Sequence, residues 1–220
     1  MAARATEAYG NLPLRFEINQ GQAAREVNFI SRGNGYTLSL TPNETAFQLR
    51  SADVGPSNFG KAVFNPQSDI RNPRSSLLRM KLLGSNPTPR VAGLDQLPTR
   101  SNYFIGSDAK SWRTNIPNFS KVQYEQIYPG VNLDYYGNQR QLEYDFTVTP
   151  GGDPATIKLG IDGANKVELD DRGDLLLHTS SGVVRQRRPL IYQEVDGIRR
   201  EISGGYVLLK TPDSGLRTPD

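Results

Sequence analysis

No stretch of this sequence holds a helical hydrophobic period for more than about ten residues, while short runs with a period of two recur throughout. Leu12, Leu14, Phe16 and Ile18 alternate with polar residues. So do Tyr36, Leu38 and Leu40, then Leu78, Met80 and Leu82, then Ile157, Leu159 and Ile161. Each run ends at Gly, Pro, Asn or Asp, the residues that turns require. The 21 Gly and 15 Pro supply this punctuation. Together they stay below the roughly 25–30% that marks low-complexity chains. The pattern predicts roughly 14 or 15 short strands at the spacing of sandwiches and barrels. The expected fold is therefore all-β, mainly an antiparallel β-sandwich with little helix.

Along the chain, residues 1–11 read as a flexible lead-in, 12–208 as one β-rich module, and 209–220 as a linker or frayed end. A division of the module into two lobes is expected near 106–120. Residues 51–76 are polar and aperiodic and read as a long disordered loop. Ser107 or Asp108 is placed to cap a short helical turn ending near Trp112, and the single tryptophan is expected in the core. Residues 128–154 read as a hairpin bent at Gly137-Asn138. Asp196-Gly197 between 190–195 and 198–202 is the strongest hairpin signal in the sequence. Residues 206–209 read as a last strand.

The same residues exclude several chemistries. There is no cysteine, so no disulfide, thiolate metal site or cysteine nucleophile. One histidine, His178, cannot build a histidine metal site, and it reads as a strand-end residue. The net charge is only +3, with both signs interspersed. Nucleic-acid binding needs a clustered basic stripe, so no nucleic acid is expected. No run approaches the roughly 20 apolar residues that span a bilayer, so no membrane insertion is expected. The N-terminus lacks the apolar core of a signal peptide. An export signal, if the protein uses one, is absent from this chain.

Four groups of side chains remain as candidates. Asp134 on one strand and Glu143 and Asp145 on the next could supply the paired carboxyls of a glycan-active enzyme. Alternation also explains them as the solvent face of a hairpin. Asp170, Asp171 and Asp174 surround Gly173 in a turn, where acidic oxygens can hold a cation, but the full ligand loop is missing and no metal is expected. Arg185, Arg187 and Arg188, with Arg199 and Arg200 on a nearby hairpin, form a strip that suits an acidic polysaccharide. Tyr135 joins that strip as a candidate sugar-contacting aromatic. The expected ligand-binding set is thus Arg185, Arg187, Arg188, Arg199 and Tyr135, with no catalytic residue and no cofactor.

The segments LPLRFEINQGQ, GNGYTLSLTPNE, LLRMKLLGSNP, GDLLLHTSSG and RRPLIYQEVDG, with the long run at 97–154, resemble the N-terminal β-rich domain of large bacterial secreted proteins. In those proteins this domain, of uncharacterised function, precedes β-propeller repeats of the SBBP type. The resemblance covers about residues 12–208. It implies a secreted or cell-surface setting, no catalytic residues, and a partner in adjoining propeller repeats or another surface protein. The expected function is a non-catalytic module for display, adhesion or assembly. A carbohydrate-binding module and a glycan-active enzyme are the alternatives.

Overall fold

The structure, a computed structural model, describes residues 14–33, 35–50, 75–138 and 141–209. The fold is all-β and antiparallel, as the alternation predicts. The strands are β1 (Phe16–Ile18), β2 (Phe29–Gly33), β3 (Tyr36–Leu40), β4 (Glu44–Arg50), β5 (Ser75–Leu82), β6 (Arg90–Tyr103), β7 (Arg113–Tyr128), β8 (Val131–Asn138), β9 (Gln141–Val148) and β10 (Leu159–Asp162). They continue as β11 (Lys166–Leu169), β12 (Leu175–Thr179), β13 (Gly182–Gln186), β14 (Tyr192–Val195) and β15 (Ile198–Glu201). Two compact units divide the chain, one ending at Gly163 and one beginning at Ala164.

The first unit is one sheet in the order β10-β5-β4-β3-β2-β1-β7-β8-β9, with β6 also on β7. Strand β7 is its hub. One edge of β7 pairs with β6 along most of its length. The other edge is shared: β1 takes Asn118 and Phe119, and β8 takes residues from Lys121 to Tyr128. The expected lobe boundary at 106–120 covers the β6–β7 connection and the start of β7, whose residues 113–117 pair with β6 alone, and it lies inside the first compact unit. The division lies after Gly163 instead.

The sheet curls until distant strands face each other across one core, which is sandwich-like packing. The Tyr135 hydroxyl on β8 meets Thr45 Oγ1 on β4 at 2.6 Å, although four strands separate them in the sheet. The Tyr124 hydroxyl on β7 donates to the Thr41 carbonyl at 2.8 Å. Phe16, Phe29, Leu38, Leu40, Val122 and Leu133 fill the space between. Each such side chain contributes about 1.5–3 kcal/mol when fully buried.

Several expectations change at this level. Gly137 is not the bend of the β8–β9 hairpin, because Gly137 pairs with Leu142 and Asn138 with Gln141. Residues 139 and 140, between them, lie outside those described. Gly137 is glycine because a Cβ there would land on the Cβ of Leu14. Strand β6 runs for 14 residues, although Pro98 and its polar neighbours interrupt the alternation that would announce it. The ladder lapses between Gln96 and Arg100 around that proline. Asp108 does cap a short 3₁₀ turn, Ala109–Ser111, but Trp112 is 39% exposed and plugs no core. Of the expected loop at 51–76, residues 51–74 lie outside the described residues, and Ser75 and Ser76 already belong to β5.

In the second unit, β11-β12-β13 form one small sheet and β14-β15 a separate hairpin. Asp196 (φ 54°) and Gly197 (φ 75°) make its turn, the left-handed pair that twists with the strands. Among the described residues, the buried apolar side chains of this unit are Leu175 and Leu177. Residues 206–209 take no place in a ladder, so the expected last strand is an extended segment without a sheet.

Candidate functional site

The acidic residues of the β8–β9 hairpin lie on the sheet face away from the core. Asp134 sits directly opposite Asp145, and Tyr136 opposite Glu143. Lys121 and Gln123 of β7 continue the same face. Like charges directly opposite each other destabilise a sheet, and two neighbours relieve this pair. Lys121 Nζ lies 2.7 Å from Asp134 Oδ2. The Tyr136 hydroxyl donates to Asp145 Oδ2 at 2.9 Å. Burial first, then this bond, pushes the Tyr136 hydroxyl well above its ordinary range. The shallow depression lined by Leu83, Gly84, Tyr128, Pro129, Thr156 and Lys158 contains none of these carboxylates. What this face can do chemically is pair charges across a sheet; Lys121 escaped the sequence reading because its place beside Asp134 is set by the register of β7 with β8.

Tyr135 is 1% exposed. The period of two that turns Asp134 outward turns Tyr135 inward. It packs between Tyr124 and Tyr144, each ring 5.8 Å away. As a sugar contact it is therefore corrected: no ligand reaches it in the folded unit.

The arginine strip is also redistributed. Arg185 on β13 reaches back to the β11–β12 turn, where Nη1 donates to Asp170 Oδ2 and, at 2.9 Å, to Asp174 Oδ2. The remaining oxygens are used as well. Asp170 Oδ1 accepts the N–H groups of Arg172 and Asp174, and Asp174 Oδ1 accepts that of Arg188, all at 2.9 Å. The three-aspartate turn is thus a pinned hairpin. Among the described residues no cluster of His, Cys, Asp or Glu is arranged to hold a metal. Arg187 and Arg188 are exposed. Arg199 lies over the Tyr192 ring at 4.6 Å and 3.7 Å from Glu194. His178 Nε2 meets Glu168 Oε1 at 2.7 Å, a diagonal cross-strand pair.

The pinned turn makes acid sensitivity predictable. The Asp174 N–H is the largest cause holding the Asp170 carboxyl below its usual range, and the Arg188 N–H does the same for Asp174; Arg185 adds to both. Carboxyls with depressed folded values contribute stability that is fully present above the ordinary range near about pH 4 and lost as pH falls through the depressed values. We expect the amides of Arg172, Asp174 and Arg188 to lose protection below about pH 4. Arg185→Ala should move both titrations up toward ordinary values. An NMR titration reads both; unchanged carboxyl titrations in the variant would remove the pin from this account.

One polar cluster was not legible beforehand. Glu17 on β1 is 4% exposed. It accepts Arg32 Nη1 at 3.1 Å and the Tyr103 hydroxyl, while Arg32 also lies over the Tyr103 ring at 5.2 Å. Beside it, buried Asn118 accepts from Ser101 and donates to Thr99. These residues tie the far end of β6 over β1 and β7. Each belongs to a different run, and alternation alone places Glu17 in solvent.

A family model described as a domain of unknown function (DUF7948) matches residues 16–217. No curated protein and no solved structure matches the chain.

Proposed function

Because the chain belongs to the DUF7948 family, whose function is unknown, we propose from its own surface that it is a non-catalytic interaction module of a secreted or cell-surface protein, assembling with adjoining β-propeller repeats. The setting and the partner rest on the sequence resemblance. The observation that carries the reading is the uncovered face of the β14–β15 hairpin. Ile191, Val195, Ile198 and Ile202 share one face and are 36% to 59% exposed, with Gln193 and Arg200 between them. The other face is polar: Tyr192, Glu194, Arg199 and Glu201. A two-stranded hairpin is marginal in water without cover. Val207, Leu208 and Leu209 add apolar surface at 78%, 48% and 71% exposure. Such concentrated apolar exposure marks a contact surface.

The test is co-purification with the propeller repeats. We expect a stoichiometric complex in which the amides of β14 and β15 gain protection from exchange. Ile198→Lys should abolish it while leaving the melting of the first unit unchanged. Separate migration of the two proteins, with the hairpin amides unprotected, would remove this reading.

A further inference from the structure

The loop joining β6 to β7 displays three large apolar side chains. Phe104, Ile105 and Trp112 are 65%, 41% and 39% exposed. The loop is nonetheless held by its own bonds. Asp108 accepts the Lys110 N–H at 2.9 Å, and Trp112 Nε1 donates to the Gly106 carbonyl at 3.2 Å. Arg113 donates to the carbonyls of Lys110, Trp112 and Gln20, each at 3.1 Å, fastening the loop to the turn after β1. The Phe104 and Trp112 rings meet edge to face, centroids 5.2 Å apart at 88°. Fixing a loop in advance lowers the entropy lost when a ligand docks, and nothing in the packing of the core requires these rings to be aromatic.

We propose that this loop is a binding platform for a neutral oligosaccharide, with Trp112 and Phe104 receiving the apolar C–H faces of sugar rings. Area selects the size of the ligand. An aromatic side chain buries about 150–250 Å², so the exposed parts of these three residues amount to roughly 300 Å². A specific protein partner needs about 800 Å² on each side; two or three sugar rings need far less. Charge selects its sign. Asp108 and Lys110 balance at the tip, and the guanidinium of Arg113 is committed to carbonyls. Bonds to neutral carbonyls leave Arg113 its charge, so the loop carries a single net positive charge, against the cluster of about four to eight cations that binds anionic lipid. The same stretch of chain supplies polar groups for sugar recognition: Ser107, Ser111 and Thr114 are exposed along it.

Trp112 is the single tryptophan of the chain, so its fluorescence reads this loop alone. The intact chain is titrated with cellohexaose, xylohexaose, mannohexaose and chitohexaose. We expect a saturable change with at least one of them, with a dissociation constant of roughly 0.01–1 mM. Phe104→Ala should weaken that binding about tenfold or more at an unchanged melting temperature, since the side chain is mostly in solvent. The platform is overturned by the absence of a saturable change with all four sugars, or by binding that Phe104→Ala leaves intact. A blue shift only with vesicles of phosphatidylcholine and phosphatidylserine would overturn it in favour of bilayer insertion. The β14–β15 hairpin takes no part in this titration, so either reading can fail alone.

Discussion

Tyr135→Ala should destabilise the first unit by about 3–5 kcal/mol, the range for emptying a large aromatic site in a packed core. Two losses combine. The ring leaves a cavity between Tyr124 and Tyr144, and the Thr45 hydroxyl opposite, 1% exposed, loses its partner. Tyr135→Phe separates them. It keeps the ring and orphans only Thr45, at a cost of about 1–3 kcal/mol. The double variant Tyr135→Phe/Thr45→Val should recover part of that cost, because both polar partners are then gone. Urea unfolding followed by Trp112 fluorescence measures all three, since Trp112 belongs to this unit. A Tyr135→Ala protein as stable as the parent would mean that the ring is not held in the core. Lost ligand binding in Tyr135→Ala would accordingly report unfolding, not a contact.

How much could be read in advance follows from which interactions are local. Period-two runs located β1, β3, β5, the β8–β9 pair and β10, and turn chemistry the Asp196-Gly197 hairpin, because both act within a few residues. The inward side of Tyr135 was also available: once Asp134 faces out, its neighbour faces in. Burial of a hydroxyl against Thr45, 90 residues away, was not. The Arg185 pin needed the register of β12 with β13, which places Arg185 against Leu176 and beside the aspartate turn. Read without register, the same arginine looked like part of a ligand strip. Trp112 shows a different limit. Size and hydrophobicity place tryptophan in cores on average, but here bonds from Gly106, Asp108 and Arg113 hold a loop that keeps it outside. Gly137 shows a third. Glycine next to asparagine signals a turn, whereas the approach of Leu14 from a distant part of the chain is what requires it.

Glu17→Ala is the second large effect, at about 2–4 kcal/mol. Removing one partner of a buried ion pair costs about 3–5 kcal/mol, because the other charge is left stranded. Here Arg32 keeps 38% side-chain exposure, so water recovers part of the loss and the lower range applies. The Tyr103 hydroxyl is the other orphan. Burial, and then its bond to Glu17, raises the Tyr103 hydroxyl far above its ordinary range. It therefore stays a neutral donor, and the carboxylate of Glu17 is its acceptor. Tyr103→Phe removes that donor while keeping the ring under Arg32. If the three groups act as one unit, Glu17→Ala combined with Tyr103→Phe should cost less than the two single changes added together, with a coupling of about 0.5–3 kcal/mol. Additive losses would reduce Glu17 to an isolated strand residue. The location of the damage gives a sharper check. The cluster ties the end of β6 to β1, and the Trp112 loop begins one residue after Tyr103. Hydrogen exchange in Glu17→Ala should therefore rise first at the β6–β7 tip, and Trp112 emission should shift red before the core of the first unit unfolds. Simultaneous loss of protection across β1 to β9 would instead make Glu17 a support of the whole sheet and not of that loop.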